Sequence, residues 1–81
     1  MFYTYILSCC DQKTYIGSTR DLQERFHRHS SGSVPATHNR LPVRLLAYFA
    51  FQEEITARSF EHYLKSGSGR AFLKKHNIIP I

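Results

Sequence analysis

The segment from Thr14 to His29 places three chemically active side chains close together along the chain. Tyr15 carries a phenol, and Arg25 and His29 carry a guanidinium group and an imidazole four residues apart. A guanidinium group matches a phosphate with two parallel hydrogen bonds. A phenol has a pKa of about 10 and becomes a useful base only where a neighbouring cation favours the phenolate. Such a set is suited to chemistry on a phosphate group.

A hairpin of two short strands would position the phenols. The run Phe2 to Cys9, FYTYILSC, is rich in aromatic and β-branched residues, and Thr14 to Ser18, TYIGS, returns after the polar turn Cys10 to Lys13. Tyr5 on the first strand is ten residues from Tyr15 on the second. The two phenols could therefore lie near each other on the sheet.

A helix that begins near Asp21 would position the other two groups. Asp21 is followed three residues later by Glu24, the pattern of a capping box. The predicted buried stripe comprises Leu22, Phe26 and His29. Arg25 lies one turn from two members of that stripe, so it borders the stripe and does not point squarely into solvent.

The second half of the chain adds a strand and two helices. Ser30 to Pro42 has no period and is predicted to be a long loop with a functional role. Val43 to Phe51 is nearly all apolar and predicts a strand buried on both faces. Glu53 to Gly67 predicts a helix that Gly67 ends in a left-handed cap, and RAFLKKHN predicts a third helix with Ser68 as its N-cap.

Glu61 is the acidic side chain of interest on the second helix. It flanks an apolar stripe that comprises Ala57, Phe60 and Leu64. The element order becomes β-β-α-β-α-α, which predicts an α+β fold: a three-stranded, mostly antiparallel sheet with helices packed on it.

The totals favour a polyanionic partner. The chain of 81 residues has 11 Lys and Arg against 6 Asp and Glu, a net charge of +5. Nucleic acid or an acidic membrane surface would suit that charge. No apolar run reaches the roughly 20 residues that span a bilayer, and the N-terminus lacks the charged start of a signal peptide. We predict one cytoplasmic domain over residues 1–81 that does not bind membranes, with Cys9 and Cys10 as free thiols.

The motifs resemble those of the GIY-YIG nuclease family over nearly the whole chain. The second half of the family signature is present as YIG at residues 15–17, and YTY at residues 3–5 keeps the final tyrosine of the first half but lacks its leading glycine. The family's arginine and histidine, four residues apart, match Arg25 and His29. Its metal-ligand glutamate matches Glu61.

The resemblance implies a role for each matched residue. Glu61 would bind one divalent cation, Mg²⁺ or Mn²⁺, and Arg25 would stabilise charge on the attacked phosphate. Tyr5 and Tyr15 would position or deprotonate the attacking water, and His29 would assist by hydrogen bonding or proton transfer. Many members also carry a late asparagine, and Asn77 lies in that region. The implied activity is that of a metal-dependent DNA endonuclease in repair or recombination, acting as a monomer or weak dimer.

Each residue also has a structural explanation. The tyrosines suit strands, Arg25 could be a solvated helix residue, His29 could be a buried helix residue, and Glu61 could pair with Lys65 one turn later. GSGR at residues 67–70 could contact the DNA backbone or simply open a helix. Candidate nucleic-acid contacts are Arg20, Arg28, Arg40, Lys65, Arg70 and Lys74. The five histidines match no zinc spacing.

Two other functions fit the same charge. One is a nucleic-acid-binding module that has the fold without turnover. The other is a protein-interaction domain that binds an acidic partner, which would show weak DNA affinity with little salt dependence. An enzyme of this size would recognise DNA by its shape, or a protein partner would supply the specificity.

Overall fold

A computed structural model describes residues 1–79 as a three-stranded sheet between helices. The strands are β1 (Phe2–Ser8), β2 (Thr14–Thr19) and β3 (Arg44–Phe51), and the helices are α1 (Leu22–Ser30), α2 (Glu54–Leu64) and α3 (Gly67–Lys75). The strand order is β2-β1-β3, and β1 pairs antiparallel with both neighbours. The predicted α+β fold and its element order are confirmed.

Strand β1 is the centre of the molecule and separates two apolar clusters. Residues 4–7 of this strand are all buried, and successive side chains point to opposite faces of the sheet. On one face Ile6 packs with Ile16, Leu64, Leu73 and Ile79. On the other face Tyr5 and Leu7 pack with Cys9 and Val43, and Leu22 and Phe26 of α1 cover them.

Asp21 is the N-cap of helix α1, near the predicted start, and forms half of a capping box. The Asp21 Oδ1 atom accepts a hydrogen bond from the Glu24 N–H at 3.1 Å. In a complete capping box the Glu24 carboxylate would accept from the Asp21 N–H. Here the Asp21 N–H donates to the Thr19 hydroxyl at 3.1 Å, and the Glu24 carboxylate lies 3.9 Å from Arg28. The cap fixes where α1 starts, and hence where its last turn places His29.

The predicted junction between the last two helices is wrong in two details. Gly67 is not a left-handed cap but the first residue of α3, and Ser66, not Ser68, is the N-cap, accepting from the Gly69 N–H at 3.2 Å. A Cβ atom on Gly69 would collide with the Tyr63 carbonyl group. Ser66 and Ser68 are both local candidates for the N-cap, and the close approach of Gly69 to the last turn of α2 accompanies the use of Ser66. Beyond the end of α3, Asn77 has a φ of 58°, a conformation that asparagine tolerates well.

The prediction that the third strand is buried on both faces is also wrong. Strand β3 is an edge strand whose Tyr48 and Leu45 side chains are 53% and 37% exposed. A short apolar run has the same sequence pattern in a central strand and in an edge strand, so the position of β3 in the sheet could not be predicted. Among residues 1–79, none of the helices is long and apolar enough to cross a membrane.

Candidate active site

Tyr5 and Gly17 meet across the hairpin and set the centre of the site. They are direct partners in the β1–β2 register, and a Cβ atom on Gly17 would lie 2.6 Å from the Tyr5 hydroxyl oxygen. The Tyr5 ring therefore occupies the space that a side chain at Gly17, the glycine of the YIG motif, would need. The Tyr15 ring centroid is 6.3 Å from that of Tyr5, so the structure brings the two phenols together as expected.

A buried chain of hydrogen bonds runs from Tyr5 through His29 to Thr37. The Tyr5 hydroxyl lies 2.9 Å from His29 Nε2, and His29 Nδ1 lies 2.8 Å from the Thr37 hydroxyl. Burial, together with the charges of Arg25 and Arg28, holds the pKa of His29 below its ordinary value. The imidazole is thus neutral at pH 7, with one nitrogen donating and the other accepting.

Thr37 is a site residue that the sequence did not reveal. It lies in the loop between α1 and β3 and is fully buried. Its hydroxyl group fixes the orientation of the His29 ring, as carbonyl and carboxylate groups commonly do for functional histidines. The length of the loop was the one available signal for its predicted functional role.

The pKa of Tyr5 moves in the direction opposite to the one that neighbouring cations would give. Burial raises it, the Arg25 guanidinium beside it lowers it, and Tyr15 and Glu61 raise it further. The net shift is upward, so Tyr5 remains a neutral phenol at physiological pH. Tyr15 is only half-buried and lines a cavity of about 210 Å³ with Lys65 and Arg70. Of the two phenols, Tyr15 is the one that an outside molecule can reach.

Arg25 lines a second cavity and has an unsatisfied buried nitrogen. The cavity has a volume of about 200 Å³, and its wall includes Ser18, Arg20 and Arg25. The Arg25 Nε atom is buried without a hydrogen-bond partner, the one such side-chain atom within residues 1–79. A buried donor without a partner costs about 1–3 kcal/mol, and more when it is charged. Arg25 lies in the wall of the cavity with its Nε atom buried beneath the surface.

Glu61 is held in place by two hydrogen bonds. The Ser18 hydroxyl donates to its Oε1 atom at 2.6 Å, and the Lys65 ammonium group donates to its Oε2 atom at 2.8 Å. Burial of the Glu61 carboxyl raises its pKa, but these two bonds and the nearby positive charges outweigh burial, and the pKa lies below its ordinary value. Glu61 is therefore ionised at neutral pH. Ser18, which follows the YIG glycine, is a second site residue that the sequence did not reveal.

The candidate nucleic-acid contacts fall into two groups in the structure. Ion pairs join Arg28 to Glu24 at 3.9 Å, Arg40 to Asp11 at 2.9 Å, and Lys65 to Glu61 at 2.8 Å. In the part of the chain that the structure describes, no carboxylate lies within 4 Å of the basic groups of Arg20, Arg70 and Lys74. The second group has its charge available for phosphates.

The fold and the site together define a class of protein. A small α+β domain places two phenols, an imidazole, a guanidinium group with a buried, unpartnered Nε atom and one carboxylate around the open edge of a hairpin. The family model of the GIY-YIG catalytic domain matches residues 1–77. The chain belongs to the GIY-YIG family, which makes it a nuclease-type domain.

Similar proteins carry the name UPF0213, which states no activity. The chain is 40% identical over 76 residues to a UPF0213 protein of Pediococcus acidilactici, covering 90% of this chain and 78% of that protein. It is 44% identical over 64 residues to one of Lactococcus lactis subsp. cremoris, covering 78% and 65%. The solution NMR structure of a UPF0213 protein from Bacillus halodurans has a TM-score of 0.58 and 35% identity, covering 93% of this chain and 84% of that one.

Proposed function

We propose that this protein is a divalent-metal-dependent DNA endonuclease, with residues 1–81 acting as one domain in repair or recombination. The observation that carries the proposal is the Arg25 side chain in the wall of a cavity that also includes the Ser18 that holds Glu61, with the Arg25 Nε atom buried and without a partner. Family membership and the net charge of +5 support it. A phosphodiester is the anion that joins these features.

The chain's own groups would divide the work of hydrolysis. Arg25 would hold the attacked phosphate and stabilise the charge that builds on its oxygens. Tyr15, half-buried and near His29 with ring centroids 5.1 Å apart, would orient the attacking water. Tyr5, a neutral buried phenol, would fix the His29 ring through its 2.9 Å hydrogen bond.

Glu61 is the residue that would hold the cation. Mg²⁺ is commonly bound by one or two carboxylates together with substrate phosphates and water. Glu61 is ionised and positioned by Ser18, and residues 1–79 contain no group of three or more metal-ligating side chains. This donor set suits Mg²⁺ or Mn²⁺ and does not suit a closed zinc site. When bound, such a cation supplies charge stabilisation to the leaving oxygen.

One observation favours the alternative of an inactive nucleic-acid-binding module. Lys65 occupies the Glu61 Oε2 atom at 2.8 Å and would compete with a cation for that carboxylate. If the ion pair persists with DNA bound, the module would bind phosphates without cutting them.

Cleavage of a panel of labelled DNAs separates the two functions. The panel comprises supercoiled plasmid, flap, branched and single-stranded DNA, each with Mg²⁺ or Mn²⁺. We expect Arg25→Ala to reduce cleavage by about 10²–10³-fold, the typical effect of losing a charge-stabilising donor, and Glu61→Ala to abolish it. Arg44→Ala is the matched control, since Arg44 is exposed and lines neither the cavity of Arg25 nor that of Tyr15.

The opposite result would be equally clear. The protein would be a binding module if the wild type bound DNA in a salt-sensitive way but cut nothing in the panel, and if the Arg25→Ala and Glu61→Ala variants bound DNA as tightly as the wild type.

A further inference from the structure

A groove lies beside the cavity that Arg25 lines, which is the catalytic cavity of the proposed hydrolysis, and has side chains that this hydrolysis does not use. It has a volume of about 470 Å³ and runs between α1 and the exposed face of β3. Residues that line it include Tyr3, Arg20, Gln23, Phe26, Leu45 and Tyr48. We refer to it as the Tyr48 groove.

Aromatic rings are accessible on the floor of the Tyr48 groove. The Tyr48 side chain is 53% exposed, and the Tyr3 ring supports it edge-on, with centroids 6.0 Å apart and planes inclined at 68°. Tyr3 fixes one side of the Tyr48 ring and leaves the rest open. An exposed, laterally supported ring of this kind is a stacking platform for a flat ligand.

Arg20 connects the Tyr48 groove to the catalytic cavity. It lines both cavities, and none of the carboxylates within residues 1–79 forms an ion pair with it. A strand with one phosphate at Arg25 would pass Arg20 and bring its adjoining nucleotide over Tyr48. The linings suit that path. The cavity wall has three arginines and the Glu54 carboxylate, whereas the groove wall has Arg20 with the Asp21 carboxylate and the Gln23 amide.

We propose that the Tyr48 groove binds an unpaired nucleobase next to the phosphate that is cut. A base offers amino groups to the Asp21 carboxylate and the Gln23 amide, while Arg20 can hold the adjoining phosphate. A base inside a duplex has both faces covered by its neighbours and cannot stack on Tyr48, but an unpaired base can. The substrate class is therefore DNA with an unpaired nucleotide at the cut, such as a flap, a branch or a single strand. The inference rests on the proposed function in taking the bound strand to be the strand that is cut.

Binding without turnover tests the groove apart from the chemistry. A flap DNA carries the fluorescent base 2-aminopurine at the unpaired position of the junction, and protein is added in EDTA. We expect wild-type protein and Tyr48→Phe to quench the fluorescence, since both have the ring. Tyr48→Ala should not quench it and should bind the flap about tenfold to a hundredfold more weakly, the usual effect of losing one stacked base. All three should bind fully paired duplex equally, within twofold.

The outcomes separate this inference from the nuclease proposal. Cleavage that Tyr48→Ala leaves unchanged, together with unchanged flap binding, would overturn the base site while the nuclease stands. Quenching that persists in a protein without cleavage activity would support the base site while the nuclease falls. A dimer in sedimentation that Tyr48→Ala converts to a monomer, with 2-aminopurine unaffected, would make the groove a contact between copies and overturn the proposal.

Discussion

The three polar side chains of the Tyr5, His29 and Thr37 chain lie where a core would normally be apolar. All three are fully buried, with at most 1% exposure. Burying polar groups is costly unless they bond to each other, and here the imidazole bonds on both sides at 2.9 and 2.8 Å. The chain of bonds holds one imidazole orientation, because neither neighbour can turn without leaving a buried group unpaired.

The neutral imidazole should make stability depend on pH. The folded pKa of His29 is lowered, so below about pH 6.5 the unfolded chain binds more protons than the folded one. The contribution is complete above that pH and is lost as pH falls through the folded pKa, by at most about 1.4 kcal/mol per pH unit.

Urea unfolding between pH 5 and pH 8 checks this. His29→Gln should flatten the decline, whereas His27→Gln, on the exposed side of α1, should leave it as in wild type. Equal slopes for wild type and His29→Gln would contradict the assignment of a neutral, buried imidazole.

At this scale, residue types could be predicted better than residue partners. Spacing on a helix placed Arg25 at the edge of the buried stripe, where it is half-exposed. The hydrogen-bond partners of the site residues lie in other elements. Ser18, the partner of Glu61, is on a strand 43 residues away, and Thr37, the partner of His29, is in a loop without a periodic pattern. Such contacts depend on how elements pack, and a single sequence contains no direct signal for them. Lys65 is the exception, because a pairing with Glu61 one turn earlier is local.

The helices and strands depend on two glycines at which backbones approach closely. Gly17 leaves space for the Tyr5 ring, and Gly69 lies against the last turn of α2. Gly67, two residues earlier in α3, has nothing within 4 Å of an added Cβ atom. Gly67 and Gly69 thus lie in the same short helix, but there is space for an added Cβ atom at Gly67 and none at Gly69.

A matched pair of substitutions in α3 tests this difference. Gly69→Ala should lower the free energy of unfolding by about 1–3 kcal/mol, because its new methyl group meets backbone that cannot move aside. Gly67→Ala should raise it by up to about 1 kcal/mol through the lower entropy of the unfolded chain. Urea denaturation measures both. Equal effects of the two substitutions would show that helix propensity, not the approach of α2, decides the outcome.

The elements themselves could largely be predicted from local patterns. Alternating aromatic residues indicated the hairpin, and Asp21 indicated the start of α1, because strand period and N-capping depend on neighbours along the chain. The errors concern β3 and the start of α3. Both depend on what lies beside the element in space: the open edge of the sheet for β3, and the surface of α2 for α3.

At the scale of the whole molecule, the net charge of +5 comes from two kinds of basic side chain. Within residues 1–79 some of them pair with carboxylates and others do not. Carboxylates pair with Arg28, Arg40 and Lys65. Arg20 lines the cavity that Arg25 lines, and Arg70 lines the cavity of Tyr15; neither pairs with a carboxylate within residues 1–79. We infer that these two arginines, more than the paired ones, contact DNA phosphates.

The salt dependence of DNA binding measures that difference. The slope of log affinity against log salt falls by about 0.9 for each phosphate contact removed from B-form DNA. We expect Arg70→Gln to reduce the slope by about that amount. Arg40→Gln should leave the slope unchanged, since Arg40 already pairs with Asp11 at 2.9 Å. An affinity insensitive to salt in the wild-type protein would instead favour a protein-interaction domain.

The burial of Tyr5 and His29 has a consequence for how variants behave in cells. A substitution at either position removes a core side chain, so less folded protein accumulates and proteases remove more of it. Arg25 and Glu61 are half-exposed, and conservative changes there spare the core. A genetic screen that scores only loss of function would not distinguish the four positions. Measuring protein abundance as well would separate Tyr5 and His29, where abundance falls, from Arg25 and Glu61, where it does not.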